Sequence, residues 1–220
     1  MKKVKPPTSR ARSDSAKQAR RAALLRTAQR LFQEVGYEKF SMNVLAREAE
    51  LAKGTLYLYF RSREEVLLAL YGEAFNKFCE VLAARLTLEL SDGGFVDQTY
   101  EVVQTHPYFV ELHARLESSI EENVSLEALV AAKLETARRF DALGARTAAA
   151  LKLPHKKAAI LLMGISTLIL GTQSKKAKSL LNSASLPAEI TEFQSHFGDD
   201  RGFKTLTSTL LKGLRASASS

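Results

Sequence analysis

The chain has one cysteine, Cys79, no tryptophan and only five prolines among its 220 residues. A lone thiol excludes an intrachain disulfide and suits a reducing compartment. C-x-x-C, H-E-x-x-H, G-x-S-x-G and the phosphate-cradling glycine loop are all missing, so no enzyme class is indicated by motif. The histidines, His106, His113, His155 and His196, never fall at the i, i+4 spacing of a helical metal pair. Neither a metal nor a cofactor is expected, and the chain is not expected to be an enzyme. Long apolar runs are short as well. The longest, Ala158 to Leu170, is 13 residues, against the 18 or more of a membrane-crossing helix. The basic N-terminus is not followed by the apolar core of a secretory signal. The expectation is a cytoplasmic protein with no membrane partner.

What is present is an uneven charge. The net charge of +8 is concentrated at one end: residues 1–63 carry 15 Lys and Arg against 5 Asp and Glu, and the remaining residues carry 17 against 19. A near-neutral body with a basic head points to a polyanionic partner at that head. Residues 1–14 are charged and nearly free of large apolar groups, which predicts a disordered basic arm. A first helix is predicted over 15–35, with Ala23, Ala28, Leu31, Phe32 and Val35 on its apolar face and Gly36 ending it. Ser41 is placed to cap a short second helix bearing Met42, Leu45, Ala46 and Ala49. Ser62 and Glu65 form an S-x-x-E capping box that opens a long helix, to about Leu90. Its two adjacent apolar stripes predict packing on two sides.

Between these helices stands "TLYLYF", residues 55–60, whose alternation and aromatics taken alone favour a strand. No other credible strand occurs in the chain, and an unpartnered strand cannot satisfy its backbone groups. Coiled as a helix, the segment turns Leu56 and Phe60 inward and Leu58 outward, with Thr55, Tyr57 and Tyr59 on the flanks. An outward leucine and tyrosines beside an excess of Lys and Arg suit contact with an anionic surface. Two short helices joined by a four-residue turn make a helix-turn-helix.

In "LFQEVGYEKFS", "LAREAELAKGTLYLYF" and "RSREEVL", within residues 28–70, the chain closely resembles the DNA-binding domain of the TetR/AcrR family of bacterial transcriptional regulators. It departs from the family pattern at Glu50, where glycine is common, and at Ala52, where Ser or Thr is common. The resemblance implies an all-α fold: a three-helix DNA-binding domain over 15–62 and a larger helical domain over 63–220. It further implies that double-stranded DNA is contacted by Ser41, Lys53, Gly54, Thr55, Tyr57, Leu58, Tyr59 and Arg63, with Arg10 and Arg12 of the arm tracking phosphate or minor groove. No Asn, Gln or Arg on the recognition helix is available for a bidentate base contact, so shape and apolar contacts would carry more of the reading.

Beyond Asp92-Gly93-Gly94, helices are predicted at 95–105, 107–122, 126–151 and 154–173. A loop at 174–185, a short helix after Pro187 and a last helix at 201–214 follow. The resemblance implies that this domain forms a homodimer and encloses a small-molecule effector. Pairing the last long helices assigns the dimer interface to Leu161, Ile165, Leu168, Ile169, Phe203, Leu206 and Leu210. The pocket residues are expected among Phe75, Phe78, Cys79, Leu82, Tyr100, Val103, Phe109, Leu112, His113 and Leu116, suiting a hydrophobic or aromatic ligand. An architectural DNA-binding protein without effector is the rival reading. Otherwise the chain is expected to be a ligand-responsive regulator, with repression the favoured sign.

Overall fold

A computed structural model describes residues 9–176, 187 and 199–217, and every regular element among them is helical. The predicted short helix after Pro187 and most of the predicted 174–185 loop lie outside the described residues, as does the arm before Ser9.

Helix α1, Ser9–Lys39, begins six residues before the predicted start. Arg10 and Arg12 therefore sit on its first turns; their side chains are outside the described set. Gly36, at φ 71 and ψ 178, interrupts it, which is the predicted helix end, and one further turn follows. The buried face comprises Leu24, Leu25, Ala28, Leu31 and Phe32. Ala23, expected there, is exposed, because Leu24 and Leu25 occupy the inward angle that a 100° step gives them.

Helix α2, Met42–Glu48, starts where Ser41 Oγ accepts the Val44 amide at 3.3 Å. Helix α3, Lys53–Tyr57, takes in the first three residues of the disputed segment, and Leu58 and Tyr59 continue as a turn. Leu56 and Phe60 are buried in the head and "TLYLYF" is coiled, not extended. The turn between them places Glu50 at φ 54, in the left-handed region, and Ala52 gives α3 no side-chain cap. The two departures from the family pattern thus coincide with backbone positions that would favour glycine and a capping hydroxyl.

Helix α4, Arg63–Arg85, is the spine. Ser62 Oγ accepts the Glu65 amide at 3.0 Å, and the Glu65 carboxylate accepts the Arg61 amide at 2.8 Å, so the predicted capping box forms with its return bond one residue upstream. The helix stops at Arg85 rather than Leu90. Ten of its residues are buried, enough to face α1 on one side and the body on the others. α5, Asp92–Thr105, starts earlier than expected: Ser91 Oγ accepts the Gly94 amide at 3.0 Å, drawing Asp92-Gly93-Gly94 into the first turn. α6, Pro107–Arg115, is followed by a π turn over Leu116–Ile120 and a 3₁₀ turn over Glu121–Asn123, so the predicted single helix 107–122 is broken. α7, Leu126–Leu151, is capped by Ser125 as predicted and ends at Lys152 in the left-handed region. α8 is His155–Lys176 and α9 is Asp199–Ala216.

α4 packs against α1, α5, α6 and α7, while α8 lies against α6, α7 and α9, and α9 returns to α5. Arg215 locks that return by donating to both Asp92 oxygens, at 2.7 and 2.6 Å, and to the Leu151 carbonyl at 2.9 Å. The bidentate hydrogen bonds from Arg215 hold the Asp92 carboxyl below the usual carboxylate range. Gly164 lies where α8 meets α9: a Cβ there would fall 2.3 Å from Leu210 Cδ2.

Glu50→Gly removes a side chain that is exposed and relieves a left-handed conformation, so it should stabilise the chain by about 0.5–1 kcal/mol. Urea unfolding of the two proteins checks this, with the midpoint rising and the slope unchanged.

Candidate nucleic-acid interface and internal pocket

The outer surface of α3 is built from what the head core leaves over. Once Leu56 and Phe60 are inside, the helical step forces Tyr57 and Leu58 out, 41% and 72% exposed respectively. Lys53 and Gly54 are also exposed, and Thr55 and Tyr59 are half-buried. The Lys53 ammonium lies 5.9 Å from the Tyr57 ring centre. A Cβ on Gly54 would meet no atom of the chain, so no packing constraint within the chain demands a glycine there. Arg20, Arg21, Arg26 and Arg30 line the exposed side of α1. Of these, Arg21 also covers the Phe60 ring at 4.7 Å.

Arg63 departs from its expected role. Its Nε donates to the Phe40 carbonyl at 2.8 Å and its Nη2 to the Tyr37 carbonyl, and the guanidinium lies 4.3 Å over the Tyr37 ring. These carbonyls belong to the turn after the Gly36 break, where helix geometry leaves them unpaired. Arg63 therefore satisfies backbone inside the head, and the expected phosphate contact is corrected to a structural one. The same turn is held from the body: Glu111 Oε1 accepts the Tyr37 amide at 3.2 Å, and Arg115 pairs with Glu38 at 3.2 Å while covering Tyr37 at 4.8 Å.

In the body, a cavity of about 200 Å³ lies between α4, α6, α7 and α8. Six expected residues line it: Phe75, Phe78, Leu82, Phe109, His113 and Leu116. Four do not. Cys79, Val103 and Leu112 are buried in the core away from the cavity, and burial pushes the Cys79 thiol up to about 12. Tyr100 instead packs on Phe203 at 5.7 Å. Ten lining residues were not expected there, among them Tyr71, Thr136, Phe140 and Ser166, and also Ile165 and Ile169, which were expected at the dimer interface. Ser166 carried the available signal, a hydroxyl inside the apolar run of α8. His113 joins Tyr71 and Ser166: its Nδ1 is 3.4 Å from the Tyr71 hydroxyl and its Nε2 is 2.9 Å from Ser166 Oγ. Burial holds the His113 pKa below the ordinary value, against the opposing pulls of Ser166 and Glu117. A second, outer hollow of about 530 Å³ shares His113, Leu116, Glu117, Phe140 and Ser166 with the first and adds Met163, Thr167 and Leu170 of α8.

The expected dimer residues divide. Leu161, Ile165, Ile169 and Phe203 are buried within the chain itself, at 0%, 2%, 2% and 2% exposure, and are withdrawn as interface residues. Leu168 and Leu210 are partly buried, and Leu206 is 54% exposed. On α8 the apolar surface that stays uncovered is one step around the helix, at Ile160, Met163 and Leu170, with Met163 at 59% exposure.

A short helix that turns leucine and tyrosine outward beside a basic helix surface, carried on a larger helical body, defines a helix-turn-helix regulator. The family model of tetR-family bacterial regulatory proteins matches residues 24–70, and that of the tetracyclin repressor-like C-terminal domain matches residues 72–218. The chain belongs to the tetR family of DNA-binding transcriptional regulators. Among curated relatives it is 45% identical over 51 residues to the HTH-type transcriptional regulator EthR of Mycolicibacterium smegmatis, covering 23% of this chain and 24% of that protein. It is 31% identical over 93 residues to the HTH-type transcriptional repressor KstR2 of Rhodococcus jostii, covering 40% and 46%. The chain thus spans less than half the length of these relatives. In fold it is similar to TetR from Acinetobacter baumannii AYE, with TM-score 0.55, 16% identity and coverage of 88% of this chain and 95% of that one. It is also similar to RolR solved in complex with resorcinol, with TM-score 0.53, 17% identity and coverage of 90% and 89%.

Arg63→Ala leaves two backbone carbonyls without their charged donor, and should lower stability by about 2 kcal/mol. Thermal unfolding followed by circular dichroism measures the loss; an unchanged midpoint would return Arg63 to the surface.

Proposed function

We propose that the chain is a homodimeric repressor that reads a near-palindromic operator and is released from it by a small hydrophobic or aromatic effector. The observation that carries this reading is the outward placement of Tyr57 and Leu58 beside exposed Lys53. In the major groove, Leu58 and the Thr55 methyl meet thymine methyl groups, and the Tyr57 and Tyr59 hydroxyls reach phosphates. Lys53, the open amide of Gly54 and the Ser41 hydroxyl hold the backbone, and Arg10 and Arg12 extend the cationic track along it. The two heads sit one DNA turn apart, about 34–36 Å.

The dimer forms through Ile160, Met163 and Leu170 of α8 with Leu206 of α9, apolar groups that the chain's own packing leaves uncovered on these two adjoining helices. The effector occupies the cavity on α4, α6, α7 and α8. Two elements then carry its presence to the head. α4 runs from the capping box at Ser62 to Leu82 in the cavity wall. α6 presents Phe109 and His113 to the cavity, and Glu111 and Arg115 to the turn at Tyr37. An effector that fits one arrangement of these helices better than another shifts the population away from the head spacing that matches successive grooves. The resorcinol held by RolR supports a small-molecule role for this fold. The location that goes with this reading is the cytoplasm.

Selection of bound sequences from a random DNA pool tests the reading, and an inverted repeat is the expected result. Lys53→Ala should weaken binding similarly across operator variants and reduce the magnitude of the salt slope by about one, read by fluorescence anisotropy at several salt concentrations. Met163→Glu places a charge on the proposed dimer face and should yield a folded monomer by sedimentation, with operator affinity reduced at least tenfold. A Met163→Glu protein that remains a dimer places the interface elsewhere.

A further inference from the structure

The inner cavity has a hydrogen-bond ledger that does not close within the chain. Tyr71, His113 and Ser166 form a row of three groups with two contacts between them, 3.4 and 2.9 Å. The desolvated imidazole stays neutral and carries one N–H, and burial likewise keeps the Tyr71 hydroxyl protonated. The row therefore owns three donor hydrogens and uses two. If Tyr71 donates to Nδ1, then Nε2–H donates to Ser166, and the Ser166 hydrogen is left over. If Nδ1–H donates to Tyr71, then Ser166 donates to Nε2, and the Tyr71 hydrogen is left over. Either tautomer leaves one hydroxyl donor to spare, and both hydroxyl residues line the cavity.

Shape and charge narrow the class further. The Tyr71 and His113 rings lie 11° from parallel, and Phe109 lies 18° from His113 and 26° from Phe78. All four rings belong to residues that line the cavity, so its wall is largely flat and aromatic. Lys133 is the one Lys or Arg among the described lining residues, and it is paired with Glu121 at 2.6 Å. The Glu117 carboxylate lines the same cavity, so an anionic ligand would meet repulsion there. At about 200 Å³, the space is smaller than the roughly 300–1,000 Å³ of drug-sized sites.

We infer that the effector is a compact, uncharged aromatic molecule bearing a hydrogen-bond acceptor such as a ketone oxygen, which receives the surplus hydroxyl hydrogen of Tyr71 or Ser166. This rests on the effector reading above and specifies its chemistry. The acceptor points into the Tyr71–His113–Ser166 row, and the ring continues the stack of Phe78, Phe109 and His113. A carboxylate is opposed by Glu117. An ammonium, though drawn to Glu117, offers no acceptor for the surplus hydrogen and must shed its hydration among mostly apolar lining side chains.

Isothermal titration of the full chain with acetophenone, α-methylstyrene, benzoate, benzylamine and cyclohexyl methyl ketone tests this. α-Methylstyrene replaces the ketone oxygen by CH₂ with nearly the same shape. Acetophenone should bind at least tenfold tighter than benzoate or benzylamine, and more tightly than the non-aromatic ketone. It should exceed α-methylstyrene by about threefold to tenfold, the worth of one hydrogen bond. That last ratio should fall to near one in Tyr71→Phe/Ser166→Ala, which keeps the ring and removes both hydroxyl donors. Should that variant fail to fold, the ratio in the unaltered chain still decides. Equal binding of acetophenone and α-methylstyrene overturns the surplus-donor argument. Tighter binding of benzoate or benzylamine, with release of operator DNA, overturns the uncharged class while leaving the effector reading intact. Silence from all five overturns the class, and operator release by a broad hydrophobic library run alongside then shows whether the effector reading survives it.

Discussion

Helix α4 must be buried on two sides, and the remaining elements arrange themselves around that demand. Its ten buried residues extend from Val66 to Leu82. No single partner helix covers such a width, since a helix facing one neighbour needs an apolar stripe of only about 100°. α1 takes the side toward the head, while α5, α6 and α7 take the others. Head and body consequently share one helix and a single continuous core. The spine also explains why the capping box matters beyond its own turn. Ser62 and Glu65 set the start of α4, and Ser125 donates to Glu65 at 3.0 Å, so the beginnings of α4 and α7 are tied together.

The second tie is polar and lies at Tyr37. The Gly36 break exposes carbonyls and an amide that a continuous helix would have paired. Arg63 from α4 takes the carbonyls of Tyr37 and Phe40, and Glu111 from α6 takes the Tyr37 amide. Two elements thus converge on one interruption of α1. Their hydrogen bonds have fixed direction, so a rotation of α6 against α4 cannot leave all of them intact. An apolar contact would tolerate the same sliding with little loss. The orientation of the head is in this way linked by directional bonds to the helix that carries Phe109 and His113.

Much of this was legible in the chain. The basic head, the coiled state of "TLYLYF", the caps at Ser41, Ser62 and Ser125, and the inward Leu56 and Phe60 all follow from local chemistry and helical periodicity. The helix of Asp92-Gly93-Gly94 did not, because Ser91 supplies a cap that outweighs the helix penalty of two glycines. Nor did the rupture of α6, whose π turn shifts the angular register after Arg115. Arg63 was misplaced because a surface cation beside a recognition helix looks the same in sequence whether it faces phosphate or a backbone carbonyl. On α8 the apolar groups run nearly all round, so periodicity could not separate Leu161 and Ile165, which face inward, from Ile160 and Met163, which do not.

Local chemistry sufficed for the class of element at nearly every described position, the location of the charge, and the side chains that the head core rejects. These depend on contacts within a turn or two, where spacing alone sets direction. Packing between distant helices settled which of two apolar faces of α8 remains bare, which aromatic rings enclose a space, and that Tyr71, His113 and Ser166 stand in one row. Those residues are 42 and 53 positions apart, on three different helices. Their meeting depends on how the helices are rotated about their own axes, which the burial of the whole core settles jointly and no local pattern encodes.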